Sequence, residues 1–233
     1  MQAFSLNLIT EMSELMQVLQ GKRNNAIIFS MDKPNSIPLT IILCVIAELL
    51  NLFSAWILGD VLHIPLFMDT IGTVFIVFYA GLIPGLIVGG LYNILRLLLM
   101  IIAGNPFYPW EIMYSLCGIS IVIFTWIFSW HNDNLYLSKT LTILYIILIS
   151  LVTAFASSII GGAVESFQRI FFDDQIYVNP VKSFVMAFLG ENIGLFIACT
   201  FARIPVTILD RLICTVLGFI LYKIVKSREA SNA

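Results

Sequence analysis

Long apolar runs recur along this chain, and they limit its possible folds more than any other feature. Between positions 37 and 225, these runs follow one another with only short polar segments between them. A run of about 20 apolar residues is long enough for a helix to cross the hydrocarbon core of a bilayer. The 233 residues are 60% hydrophobic and 11% charged, whereas soluble domains carry about 25% charged residues. We therefore expect an all-α integral membrane protein that crosses the cell membrane several times.

Other classes of protein fit this sequence poorly. The strands of a β-barrel would be shorter than these runs and would alternate apolar with polar residues. The four cysteines lie far apart inside apolar runs, which favours packing over disulfides or a metal site. The sequence contains no phosphate-binding loop, no nucleophile elbow and no basic patch with interleaved aromatic residues. We therefore expect no enzyme, no metal or other cofactor, and no nucleic-acid partner.

The apolar runs predict a bundle of about six transmembrane helices. The predicted spans are 37–58, 66–81, a third that follows a corner at 82–84 and ends near 102, 109–130, 140–163 and 205–225. The last apolar region is too long for one crossing at 1.5 Å per residue, so we divide it near Pro205. This division leaves an extra apolar segment at 183–201, which is a span, a re-entrant piece or an interfacial helix.

The two ends of the chain are polar. Residues 1–36 have helical spacing of apolar residues and predict a cytoplasmic segment with an amphipathic helix. The membrane domain then covers 37–226, and 227–233 form a cytoplasmic tail.

Lysines and arginines indicate the orientation of the bundle, because they stay on the cytoplasmic side. The turns after the first and third spans carry none of them. Both termini are therefore predicted to be cytoplasmic, which requires an even number of crossings. The basic residues beside the first and last spans are Lys22, Arg23, Lys33, Lys223, Lys226 and Arg228.

Several polar and aromatic residues fall toward the outer face in this topology. Charges at membrane depth must pair or face water, so they are functional candidates. Aromatic walls with a few charged groups are typical of a small-molecule site. The predicted substrate-binding residues are Asp69, Asn93, Arg96, Asn105, Tyr108, Trp110, Glu111, Glu165 and Arg169.

Structural roles for some of these residues stay open. Asp69 and Glu111 stand where apolar runs begin, and a carboxylate there caps a helix N-terminus. Arg96 would pair with Glu48 as readily as with a ligand. Trp110 fits an aromatic anchor at the membrane interface as well as a binding residue.

Glycines repeat at four-residue intervals at Gly81, Gly85 and Gly89, with Pro84 among them. Small residues at this spacing let helix backbones approach closely. We favour packing within the chain as the explanation, and a docking face for another membrane protein is the alternative.

One stretch of the sequence has the order of residues of a known family. It runs from Ile64-Pro65 through Asp69-Thr70-Ile71-Gly72, Gly81-Leu82-Ile83-Pro84-Gly85 and Gly89-Gly90 to Asn93. This pattern resembles the substrate-binding S components of energy-coupling factor (ECF) transporters, which have six helices and cytoplasmic termini. The resemblance implies a subunit that binds a vitamin or another small-molecule micronutrient at the outer face. Such a subunit associates with a transmembrane coupling subunit and two cytosolic ATPases, and releases its substrate inward.

The resemblance also implies a docking face for the coupling subunit. Many S components carry an alanine-xxx-alanine motif in the first helix, and Ala47, Asn51 and Ala55 keep that rhythm here, although Asn51 replaces a small apolar residue. The predicted docking residues are these three together with Gly81, Gly85 and Gly89. Two rival functions stay open, namely a membrane sensory domain of a signalling system and an autonomous channel or carrier.

Overall fold

The regular structure of this chain is helical throughout the part that the computed structural model describes, which is 37–104, 108–129, 138–172 and 181–232. The predicted amphipathic helix in 1–36 and the candidate Asn105 lie outside these residues. The all-α prediction is confirmed for the described residues. The helices are α1 (Ile37–Ala55), α2 (Ile71–Ala80), α3 (Leu82–Ile102), α4 (Ser115–Ser129), α5 (Lys139–Phe171), α6 (Lys182–Gly190) and α7 (Leu195–Asn232). A π-helical turn at Trp56–Val61 continues α1, and a 3-10 helix at Pro109–Tyr114 leads into α4.

Five helical segments are long and apolar enough to cross a membrane, which supports the prediction of a multi-pass membrane protein. They are Ile37–Gly59, Leu82–Ile102, Pro109–Ser129, Lys139–Phe171 and Leu195–Glu229. Their outward faces are apolar, as lipid contact requires.

The second predicted span is shorter than expected. Residues 66–70 are not helical, and α2 has 10 residues, which is about 15 Å of helix against a hydrocarbon core of about 30 Å. Nine of its residues are buried, which suits a helix that is apolar on every side. We call the end of the bundle where α1, α3 and α5 finish and α7 begins the upper end.

The last apolar region is divided at a different place from the one predicted. Pro205 lies inside the continuous α7, and the break between α6 and α7 falls at 191–194. A helix tolerates one proline at the loss of one backbone hydrogen bond, and membrane helices often contain one. The break instead follows Gly190, where Asn192 has a positive φ of 59° and the exposed Glu191 is polar. The prediction near Pro205 was wrong because it gave the proline more weight than this cluster of glycine and polar residues.

Neighbouring helices approach most closely at glycines, which have no side chain. A Cβ atom on Gly118 of α4 would overlap the carbonyl oxygen of Gly89 in α3, and one on Gly72 would overlap the carbonyl oxygen of Ala47. Gly85 likewise packs against Val77 and Val122. The glycine spacing thus serves packing within the chain, the explanation favoured from the sequence.

Most of the predicted docking residues lie inside the bundle. Ala47, Asn51 and Ala55 form the buried stripe of α1, and Gly85 and Gly89 face neighbouring helices of the same chain. A partner has no access to these faces in this arrangement.

Gly81 has a different role from the other two glycines of the repeat. Its φ of 84° turns the chain between α2 and α3 in a single residue, a conformation that favours glycine.

We expect Gly118→Ala to destabilise the protein and Gly90→Ala to leave it at least as stable. The new methyl group at position 118 meets the backbone of Gly89, and such overpacking costs about 1–3 kcal/mol. Nothing lies within 4 Å of a Cβ on Gly90, which is also in a helix. Thermal unfolding in detergent measures both variants, and equal midpoints for the two would contradict this close contact.

Candidate functional site

The non-helical segment 62–70 lies at the upper end and is bound by side chains from two helices. Backbone N–H and C=O groups that are buried away from water nearly always have hydrogen-bond partners. The N–H of Met68 donates to Asp210 Oδ1 of α7 at 2.6 Å, and Ser54 Oγ of α1 donates to the Met68 carbonyl at 2.5 Å. Side chains of α1 and α7 therefore hold this non-helical backbone.

Arg211 of α7 links the segment to α7. Its guanidinium lies 2.9 Å from Asp69 Oδ1 and 2.8 Å from Asp210 Oδ2, and it also donates to the hydroxyl of Thr70. The Arg211 side chain is 5% exposed, so the pairs with two carboxylates offset the loss of hydration. Asp69 thus pairs with an arginine, and α2 begins at Ile71 without a side-chain cap from Thr70.

Asn51, which stands where the predicted docking motif has a small apolar residue, binds the first turn of α2. Its Oδ1 accepts the N–H of Gly72 at 2.8 Å, and its Nδ2 donates to Thr73 Oγ1 at 2.9 Å. The first N–H groups of a helix have no partner inside the helix. Asn51 supplies one to α2, which a small apolar residue could not do.

A second cluster of charges joins α5 to α7 above the first. Glu165 is fully buried, and its carboxylate lies 2.7 Å from Arg203 and 2.9 Å from Arg169. Arg203 also donates to the hydroxyl of Tyr114 at 3.0 Å. Tyr114 in turn donates to Gln168 Oε1 at 3.2 Å. The three charged side chains carry one positive charge in excess, and we call them the Glu165 triad.

The 3-10 helix that precedes α4 places aromatic residues beside this triad. The indole of Trp110 stacks on Phe172 at 4.3 Å between ring centroids, and the ring of Tyr108 lies 5.4 Å from it. Gln168 Nε2 donates to the Trp110 carbonyl at 3.0 Å. These contacts tie the 3-10 helix to the end of α5.

Two polar atoms in this region are buried without a hydrogen bond to any residue that the structure describes. They are the indole Nε1 of Trp110 and Oε1 of Glu111. The charges of Arg96 and Arg203 both act on the Glu111 carboxylate. Buried donors and acceptors of folded proteins nearly always have partners. A ligand with an acceptor for Trp110 and a donor for Glu111 would satisfy both atoms.

The structure brings most of the predicted substrate-binding residues to the upper end, but in two groups. Tyr108, Trp110, Glu111, Glu165 and Arg169 lie around the Glu165 triad, whereas Asp69 belongs to the cluster around Arg211. Asn93 is half-buried on α3, and no contact described here joins it to either group.

The residues that the sequence analysis did not place in the site are Arg203, Arg211, Asp210, Tyr114 and Gln168. Arg203 and Arg211 are eight residues apart and so share one face of a helix. That spacing was readable in the sequence, but the division near Pro205 put the two arginines in different elements.

Comparison of the chain with models of known protein families, with curated proteins and with solved structures finds no match. The residues and contacts described above therefore carry the argument about function.

We expect Arg211→Met to destabilise the protein by about 3–5 kcal/mol, because it leaves Asp210 buried without its cation. Arg228→Met is the matched control, since Arg228 lies exposed near the end of the same helix. Thermal unfolding in detergent reports the difference. If both variants unfold at the midpoint of the wild type, Arg211 does not hold the non-helical segment.

Proposed function

We propose that this chain is the membrane-embedded substrate-binding subunit of an ATP-driven importer of the ECF type. Its substrate would be a vitamin or a related micronutrient, bound at the upper end. The resemblance of 64–93 to S components supports this proposal. The observation that carries it is a pair of buried atoms, Trp110 Nε1 and Glu111 Oε1, which have no hydrogen bond to a described residue and lie beside aromatic rings and the Glu165 triad.

The chemistry of this region suits a small polar molecule with a flat apolar part. Tyr108 and Trp110 provide aromatic surface, while one donor and one acceptor are available to orient a ligand. The positive excess of the Glu165 triad favours a ligand with acceptor atoms or a negative group. Arg169 and Arg203 are already oriented by Glu165, so a ligand would meet a preorganised surface.

The proposed topology has six crossings, with both termini in the cytoplasm of the cell. The non-helical segment 62–70 together with α2 would make the second crossing. From Arg211 to Glu229, α7 rises about 27 Å, close to the thickness of the hydrocarbon core. Tyr79 at the lower end of α2 donates to Glu229 at 2.5 Å, which puts these two residues at one level. The cluster around Arg211 would then lie near the outer boundary, with the Glu165 triad farther out.

Transport would need further subunits. In the proposed complex, a transmembrane coupling subunit and two cytosolic ATPases drive the release of substrate to the cytoplasm. The described residues of α1 present an apolar face that a partner could contact, formed by Ile41, Val45, Leu49, Phe53 and Trp56.

We expect the purified protein to retain a small metabolite without ATP, detected by native mass spectrometry. Trp110→Ala should weaken its binding about tenfold or more, because it removes a hydrogen-bond donor and aromatic surface. Trp56→Ala is the matched control, since Trp56 is 54% exposed in the π-helical turn, where its ring lies beside Phe53 and not beside the rings around Trp110. Recovery of lipid alone, or equal losses in both variants, would contradict the proposed site.

The topology predicts that His63→Cys is labelled from outside intact cells by a membrane-impermeant maleimide. Ser227→Cys should react only after the cells are opened, and both positions are exposed in the structure. The unsubstituted protein shows the background from its own cysteines. Labelling of both positions from the same side would rule out an odd number of helical passes between them.

Co-purification separates the importer from its rivals. Recovery of an ATPase complex supports the importer, whereas recovery of a kinase or a transcriptional regulator supports a membrane sensory domain. Solute flux in proteoliposomes without any ATPase would support a channel or carrier instead.

A further inference from the structure

Four cations lie at the lower end of the bundle, where α5 begins and α7 ends. They are Lys139, Lys223, Lys226 and Arg228, and all but the half-buried Lys226 are exposed. No ion pair joins any of them to a carboxylate in the part of the chain that the structure describes. We call these four residues the basic rim.

The packing of α5 against α7 brings both parts of the basic rim to one level. Glu165 of α5 and Arg203 of α7 are paired at 2.7 Å. Lys139 precedes Glu165 by 26 residues, and Glu229 follows Arg203 by 26 residues. Both helices are continuous, so Lys139 and Glu229 each lie about 39 Å below the pair. The three cations of α7 lie within two turns of Glu229, so the whole basic rim occupies one end of this helix pair.

The basic rim carries a positive excess. Glu229 is the one carboxylate at this end among the described residues, and the hydroxyl of Tyr79 donates to it at 2.5 Å. Four cations against one carboxylate leave three positive charges in excess. An anion from outside the chain is complementary to this charge.

The cations adjoin the lipid-facing surfaces of the two helices. On α7, Lys223 lies between Ile220 and Ile224, and both isoleucines are 46% exposed. On α5, Ile143 follows Lys139 by one turn and is 58% exposed. The surface therefore changes from apolar to basic within about one helical turn on each helix.

Lys223 lies where this change occurs on α7. Its Nζ is 4.9 Å from the centroid of the Phe219 ring, one helical turn back toward the apolar part of the helix. A cation over an aromatic face is attracted by the ring. The ammonium group is therefore held beside the apolar surface, where a headgroup phosphate lies when acyl chains cover the isoleucines.

We propose that the basic rim and the isoleucines beside it form a docking surface for an anionic phospholipid. The phosphate of the lipid meets the cations, and its acyl chains lie against Ile143, Ile220 and Ile224. Basic residues beside a membrane helix attract anionic lipids through the net negative charge of the headgroup. A soluble phosphate would meet the cations alone and leave the apolar half of the surface uncovered. The surface therefore fits a lipid better than a soluble anion, and it lies at the opposite end from the proposed substrate site.

Palmitoyl-oleoyl phosphatidylglycerol and palmitoyl-oleoyl phosphatidylcholine test this surface, because they share their acyl chains and differ in net charge. Each lipid is titrated into the full chain in detergent, and native mass spectrometry gives the dissociation constant of the first bound lipid. Phosphatidylglycerol should bind about fivefold or more tightly, as expected when at least one cation acts on a net negative lipid. Equal constants overturn the proposal, and this comparison needs no variant.

Lys223→Gln should weaken phosphatidylglycerol binding about fivefold and leave phosphatidylcholine binding unchanged, because it removes a charge and keeps much of the side chain. Lys139→Gln should do the same from α5. Lys182→Gln is the matched control, since Lys182 begins the short helix α6, which packs against the start of α7. Equal losses in all three variants would show a general effect of net charge and overturn the docking surface, as would an unchanged preference in both rim variants.

Glycerol 3-phosphate carries the phosphate group without acyl chains. At the concentration at which phosphatidylglycerol is half bound, it should leave the lipid in place. Displacement at that concentration overturns the lipid as occupant and assigns the cations to a soluble phosphate. The lipid surface and the importer proposal fail separately, because Trp110→Ala changes the upper end and the rim variants change the lower end.

Discussion

The lack of hydrogen-bonding groups in lipid is the constraint on which this structure depends. A chain that leaves helical geometry at membrane depth must find protein partners for its backbone. Here the buried Met68 of the segment 62–70 does so through Ser54 on one side and Asp210 on the other. Because α2 follows directly from this segment, the same side chains also set where the second helical passage begins. The short length of α2 is thus a consequence of how its upper end is held.

Both charge clusters use arginines of α7, and this arrangement couples them. Arg203 meets Glu165 of α5, and Arg211 meets Asp69 and Asp210, two turns farther along the same helix. Removing one partner of a buried ion pair is strongly destabilising, because the other charge stays buried without its partner. Replacing the whole pair by well-packed apolar residues is often neutral. α7 therefore cannot shift along its axis without breaking contacts at both levels. The aromatic residues around Trp110, and the two buried atoms there without a described hydrogen-bond partner, lie next to these ion pairs.

Periodicity and hydropathy predicted the long helices well, because the energetic reason for each is local. Ser138, for example, caps α5 by accepting the N–H of Leu141, and an apolar run follows it. The start of α2 was not predictable in this way, since it depends on Asp210 and Arg211, which are distant in the sequence. Glu165 and Arg169, four residues apart in α5, pair within one helix, whereas Arg203 joins them from another helix. Hydrogen bonds between distant residues leave no pattern in a single sequence.

The one-residue corner at Gly81 has a mechanical consequence. α2 is anchored by Arg211 and Asn51 at its upper end and passes into α3 at Gly81 with no loop to absorb movement. α2 is therefore a rigid rod about 15 Å long that runs through the core from the cluster around Arg211 to the corner at Gly81. Any displacement of the segment 62–70 is transmitted along this rod to the α2–α3 corner. The cluster around Arg211 is thus joined to the α2–α3 corner by helical backbone alone.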